Sequence, residues 1–416
     1  MSAADTDVLI VGGGLAGLAA ARALEDADVD WLLLDAADAP GGRVRTDVVD
    51  GFALDRGFQV LLTAYPEARE VLDYDALDLH AFLPGALVRV EGALRPVSDP
   101  FRLPSRALGT ARAPIGSLAD KLRVASLRRR VRDEDPFAVP EQTTLEDLRA
   151  LGFSERIIDR FFRPFLGGVL LDPALATSNR MFRFVMKMFA EGDSVLPAGG
   201  IEAIPAQLAA HLPAARLRMG TAVAALHGRE ATLADGDELY ARHAVLVATD
   251  GPGASTLLEE VDDPGSRATT TLYFAAERPP VAEPMLVLDG DDSGPVNHLC
   301  VPSQIAPGYA PDGAALVSAS VVDDGGLRPE ALADAVREQL RDWFGPGVRT
   351  WRRLGTTHVA HAQPGQDPPT LAEPVRVHRL GAGRYVAGDH RENASINGAL
   401  RSGRRAAEAI LADLAA

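Results

Sequence analysis

Cysteine is all but missing from this chain. Cys300 stands alone in 416 residues, which excludes an internal disulfide and any metal cluster built on cysteines. Lysine is nearly as scarce: Lys121 and Lys187 are the only two, and arginine fills every other basic position. No run of about 18 uncharged apolar residues occurs, since Val8 to Ala21 is broken by glycines and stops at Arg22, so a membrane-spanning helix is not expected. Positive charge is in deficit. A net charge of −16 opposes the basic field that phosphate backbones require, and nucleic acid is not expected as a partner. Met1 to Asp7 shows neither a basic n-region nor a cleavage site, and with the lone cysteine this leads to the expectation of a cytoplasmic protein.

What is present starts with composition. The apolar fraction of 47% is that of a globular protein, and the length exceeds what one hydrophobic core usually serves, so two domains are expected. Asp7-Val8-Leu9-Ile10-Val11 is an apolar run too short for a helix, and it breaks at Gly12-Gly13-Gly14-Leu15-Ala16-Gly17 before an alanine-rich helical pattern. The spacing predicts strand, tight turn and helix. Gly12 permits the turn, Gly14 lets the backbone approach a pyrophosphate, and Gly17 lets the helix lie close on the strand. The helix N-terminus, at Leu15 and Ala16, then offers its free N–H groups and positive dipole end to phosphate. Trp31-Leu32-Leu33-Leu34 predicts a second strand ending at Asp35, where an acid accepts hydrogen bonds from a ribose.

A second glycine turn follows at Gly41-Gly42-Arg43-Val44-Arg45-Thr46, where Arg43 offers a planar fork for a phosphate oxygen. The fingerprint, the acid and the Gly-Gly-Arg-x-x-Thr turn together resemble the flavin-dependent amine oxidase superfamily, which includes amine oxidases, protoporphyrinogen oxidase and phytoene desaturase. Leu54 to Pro66 resembles the segment that carotenoid desaturases run beside the isoalloxazine ring, with Gln59 where those enzymes often carry histidine. Arg216 to Val223 is similar to the return into the flavin domain, and the resemblance implies that Val223 meets the adenine through its backbone. Tyr385-Val386-Ala387-Gly388-Asp389, then Ser395-Ile396-Asn397 and an alanine-rich helix, resemble the C-terminal flavin motif. There the resemblance implies that Asp389 binds the ribityl chain or pyrophosphate while the helix N-terminus points at the flavin.

Between these blocks the character changes. Phe101 to Arg132 carries nine basic residues against the single acid Asp120, either a solvated face or a peripheral contact with anionic membrane. Ser117 to Arg132 and Thr144 to Arg149 read as helices, capped by Ser117 and by Thr143 or Thr144. Asn179 to Ala190 bears apolar residues on nearly every face, which fits core or the lining of an apolar cavity. Alternation predicts strands over Ala268 to Ala275 and Ala315 to Val322, and an amphipathic helix over Pro329 to Phe344. His358 and His361 lack neighbouring carboxylate or cysteine ligands, so no metal is expected, and His361 is a candidate for facing substrate.

The expected fold is α/β: a Rossmann-type FAD-binding domain from 1–75, 195–261 and 370–416, interleaved with an α+β substrate domain from 76–194 and 262–369. The resemblance implies noncovalent FAD, because Cys300 lies far along the chain from every flavin block. It implies hydride transfer from an apolar small molecule of isoprenoid or carotenoid type, with Gln59 and His361 as candidate catalytic residues. An amine oxidase or porphyrinogen oxidase, or a non-catalytic binder like the prenyl-protein chaperones, are the alternatives. Usual amine oxidases hold a lysine against the flavin from the region matching Thr269 to Ser303, and none stands there.

Overall fold

The computed structural model describes residues 5–416, so Met1 to Ala4 of the acidic opening segment lie outside the described residues. Thr6–Val11 pairs in parallel with Trp31–Leu34 on one side and with Glu238–Val247 on the other. Leu217–Arg218 adds beyond Trp31–Leu34, and Arg384–Val386 runs parallel to the end of Glu238–Val247. These central strands are apolar on both faces because helices cover one side and the hairpin of Val223–His227 and Glu230–Leu233 packs on the other. The sheet therefore draws on three separated stretches of chain.

Two helices meet on this sheet. Leu15–Asp26 follows the first strand directly, and a Cβ on Gly17 would lie 1.9 Å from the Gly12 carbonyl oxygen. The C-terminal helix, Ile396–Leu414, crosses it at Gly403, whose Cβ would lie 1.9 Å from the Ala16 carbonyl oxygen. Only glycine permits either approach, so these two residues set how near the last helix comes to the opening turn.

A seven-stranded sheet forms the second layer, in the order Arg352–Pro364, Ser266–Ala276, Ala315–Val321, His298–Cys300, Leu286–Asp289, Gly85–Val90 and Ala93–Ser98. One face packs Leu272, Phe274, Val317 and Leu299 against the amphipathic helix Pro329–Phe344. The opposite face turns toward the nucleotide layer: Tyr273 reaches across it to the backbone of Asp55 and Gly57.

The helical layer, 107–191, shares a continuous core with the nucleotide domain. Leu118–Asp133 is capped by a reciprocal box between Ser117 and Asp120, and Thr144–Ala150 by one between Thr143 and Glu146. Asn179–Glu191 is amphipathic rather than apolar all round. Met181, Phe182, Phe184, Val185 and Met188 are buried, while Lys187 donates to the carbonyls of Arg132 and Glu134, closing the C-terminus of the neighbouring helix. Among the described residues no helix is long and apolar enough to cross a membrane, and no group of three or more potential ligands could hold a metal ion.

Candidate functional site

The opening turn has the geometry its glycines demand. Gly12 adopts φ +112°, and a Cβ there would meet the Ala248 carbonyl oxygen at 2.7 Å. At Gly14 a Cβ would meet nothing within 4 Å, so the backbone is open on that side. Helix Leu15–Asp26 begins there with no side chain capping it and no acid in its first turn. The N–H groups of Leu15, Ala16 and Gly17 thus have no partner within the helix, an arrangement suited to an anion. Asp35 ends the second strand half-buried, its carboxylate accepting from the N–H groups of Gly13 and of Ala37 (2.7 Å).

The second turn folds onto the first. Gly41 donates to the Gly13 carbonyl at 2.8 Å, and a Cβ on Gly42 would meet the Gly14 Cα at 3.3 Å. Arg43 then spans to the far end of the chain: its guanidinium lies 2.8 Å from the Asp389 carboxylate and donates to the Ala362 carbonyl at 2.9 Å. The Gly388 N–H is held by Ser402 Oγ at 3.0 Å, which keeps Asp389 and the last helix in register. Val223 starts a strand two residues after Thr221, whose N–H donates to the Asp35 carbonyl at 2.7 Å.

The C-terminal helix opens with Ser395 Oγ accepting from the Gly398 N–H at 2.9 Å, which leaves the N–H groups of Ile396 and Asn397 without an intrahelical acceptor. Open space at Gly14, two helix starts with free N–H groups and no acid in either first turn, and an arginine beside them fit the phosphates and ring edge of FAD.

Three side chains fall elsewhere than expected. Gln59 spends both amide hydrogens on the carbonyls of Arg43 (2.9 Å) and Arg56 (3.1 Å), so it braces the second turn and does no acid or base work. Asn397 is buried with its Oδ1 accepting from the Glu67 N–H at 2.9 Å, which fixes the side chain while its backbone N–H stays at the open start of the helix. His361 is exposed and tied to Ser266 Oγ at 2.8 Å at the sheet edge, one residue before the carbonyl that Arg43 holds. Cys300, distant along the chain, packs in space with Leu54, Tyr273 and Tyr309, and burial pushes its thiol well above the usual range. Among the basic residues of the 101–132 stretch, Arg102, Arg106, Arg128 and Arg130 pair with Asp193, Glu283, Asp99 and Glu134, so two flanking and two distant acids neutralise part of it.

Asp55 is a residue the motifs do not single out. Its buried carboxylate accepts from Thr46 Oγ1 (2.6 Å), Tyr309 Oη (2.7 Å) and the Ile201 N–H (3.0 Å), while Tyr273 holds its carbonyl. Three chain segments are thereby joined beside Gly57. A cavity of about 10 Å³, lined by Asp55, Gly57, Phe58, Tyr273, Tyr309 and Ser318, adjoins it, about the size of one water molecule.

Burial pushes the Asp55 carboxyl up to about 6 despite these donors. The folded state therefore holds the Asp55 proton more tightly than the unfolded chain does, so this contribution is fully present below about pH 4 and is lost as pH rises through about 6. Relative to Asp55→Asn, the wild type should lose on the order of 3 kcal/mol between those limits. Urea unfolding of both proteins across the range checks this, and a pH-independent difference would refute it.

A model of the flavin containing amine oxidoreductase family matches residues 15–411. Among known proteins, protoporphyrinogen oxidase 1 of the Arabidopsis thaliana chloroplast is 28% identical over 199 residues, 46% of this chain and 35% of the plant protein. Polyamine oxidase 2 of the same plant is 42% identical over 57 residues, 14% of this chain and 12% of that protein. The chain thus matches about a third of the first relative's length and less of the second. In fold, cyclohexylamine oxidase of Brevibacterium oxydans superposes with a TM-score of 0.71, covering 99% of this chain and 100% of its own at 19% identity. With both glycine turns, the Arg43–Asp389 pair and the family match running almost end to end, the chain belongs to the flavin-containing amine oxidoreductase family.

Proposed function

We propose that this chain is an oxidoreductase that binds FAD noncovalently and oxidises an apolar, isoprenoid-type small molecule. When bound, FAD supplies a hydride acceptor at N5 of its ring. The chain's own part would be to hold FAD at the glycine turns and the two helix starts, exclude water and align a C–H bond of the substrate. The hydrogen leaves the substrate carbon with its electron pair, and the adjacent carbon loses a proton to solvent or a neighbouring side chain as the double bond forms.

One observation carries the reading against an amine substrate. The sheet face turned toward Gly57 presents Thr271, Tyr273, Ser318, Ser320 and His298, with no lysine and no carboxylate. The sheet face offers a protonated amine no charge to pair with, and the nearby Asp55 carboxylate is already taken by Thr46, Tyr309 and the Ile201 N–H, whereas an uncharged chain loses little by desolvation. The names of the plant relatives favour the second reading, an amine or porphyrinogen oxidase. A non-catalytic binder is disfavoured by the two stacked glycine turns and the open helix starts that the Arg43–Asp389 pair holds together, an arrangement suited to a dinucleotide.

Acid precipitation should release all the yellow colour, since Cys300 is buried and its thiol stays protonated. Anaerobic mixing with primary amines and polyamines should leave the flavin oxidised, while an isoprenoid or polyene pool bleaches it. Rapid bleaching by a simple amine would establish the second reading instead.

We further propose that the helical layer docks on anionic membrane, where apolar substrates reside. Support comes from Phe101, Leu108, Leu118 and Leu122, all exposed large apolar side chains in the 101–132 stretch. Arg112, Arg129 and Arg132 lie on the same segment. Such a surface binds through apolar insertion, with about 1 kcal/mol added per basic residue near the lipid. The protein should float with vesicles containing phosphatidylserine, and a Leu108, Leu118 and Leu122→Ser variant should not; failure of the wild type to float would end this proposal.

A further inference from the structure

Four polar side chains on the second sheet are buried, each with a polar atom left unpaired, and they form a group. His298 pairs directly with Ser320 across neighbouring strands, and Ser320 pairs with Thr271 on its other side. Ser318 stands two residues from Ser320 on the same face. The Nε2 of His298 and the hydroxyls of Thr271, Ser318 and Ser320 all lack a hydrogen-bond partner. Directly paired residues have their Cβ atoms about 5 Å apart, so these groups converge rather than scatter. Their face is the one from which Tyr273 reaches the Gly57 loop, where the Gly57 N–H lies 3.3 Å from Tyr273 Oη. Phe58 of that loop sets its ring edge-on to the imidazole at 5.2 Å.

The tautomer of His298 follows from its neighbours. Asn297 Nδ2 lies 2.8 Å from the Pro164 carbonyl, which can only accept, so that atom is the amide nitrogen. Its second hydrogen is directed at His298 Nδ1, 3.1 Å away. Nδ1 therefore accepts, and the neutral ring carries its hydrogen on Nε2. Burial holds the ring neutral, lowering its pKa to about 4. Gly168 makes the room: a Cβ there would stand 2.8 Å from both Asn297 Nδ2 and His298 Nδ1. Away from Asn297 the ring thus presents an uncharged N–H donor, with the hydroxyls of the paired strands beside it.

An unpaired buried donor is costly unless something else satisfies it; a donor repels an ammonium, and with no cation on this face an anion would be buried unpaired, so a neutral oxygen is the acceptor that fits. We propose that His298, with Ser320 beside it, is a specificity-determining site that donates a hydrogen bond to a carbonyl or hydroxyl oxygen on an otherwise apolar substrate. This rests on the isoprenoid reading above and narrows it from pure hydrocarbons to oxygen-bearing ones.

The test uses the purified flavin-containing protein and three probes of equal chain length: farnesal, farnesol and farnesene. Calorimetric titration should give farnesal and farnesol about tenfold tighter binding than farnesene, the preference expected of one hydrogen bond made to a buried donor. His298→Leu should abolish the preference while keeping farnesene binding. His298→Gln, whose amide nitrogen stands near the place of Nε2, should keep most of it, and Ser320→Ala should reduce it. Because His298→Leu also disturbs packing, His298→Gln and Ser320→Ala decide the matter if the leucine variant does not fold. Equal binding of all three probes by the wild type would overturn this inference alone. Binding of none would overturn the isoprenoid reading and this inference with it.

Discussion

The ion pair between Arg43 and Asp389 joins residues 346 apart in sequence, and the site is assembled around it. The Asp389 side chain is almost buried, and removing Arg43 would strand its charge at a cost of roughly 3 kcal/mol. The two glycine turns stack through the Gly41 to Gly13 hydrogen bond, and Arg43 extends from that stack to the turn before the last helix. Gly403 lets that helix press on Ala16, so the two helix starts are held together by backbone contact. Without the pair and these close approaches, the opening and closing segments would be separate ends of a sheet.

Much of this was legible because glycine acts locally. Gly12 needed its positive φ, Gly17 its close approach and Gly14 its open side, and each demand belongs to the residue itself. The caps Ser117 and Thr143 were readable for the same reason, since a capping box lies within four residues. The side-chain roles were not. Gln59 and Asn397 carry amides that could meet a ligand or a backbone, and only the fold brings Arg43, Arg56 and Glu67 to them. Spacing likewise hid the closeness of Cys300 to Leu54, and two of the acids that pair with the basic stretch, Asp193 and Glu283, come from far along the chain.

Asp55 and His298 escaped notice for a related reason. Alternation in a strand tells which residues share a face, but not what the opposite layer presents. Asp55 gains meaning only when Thr46, Ile201 and Tyr309 arrive from three other segments. His298 reads as one more residue of a short strand until the register sets it beside Ser320 and Thr271. The glycine turns are thus written in backbone requirements, whereas Asp55 and His298 acquire their surroundings only through tertiary pairing.

The central claim is that the stacked glycine turns cradle a dinucleotide at Gly14. It is tested most directly by the flavin content of Gly14→Val, beside Gly109→Val as a control at another glycine with nothing within 4 Å. The wild type and the control should carry about one FAD per chain, and folded Gly14→Val should carry almost none, because the new side chain fills the space the pyrophosphate needs. Folded Gly14→Val with a full complement of FAD would contradict the account.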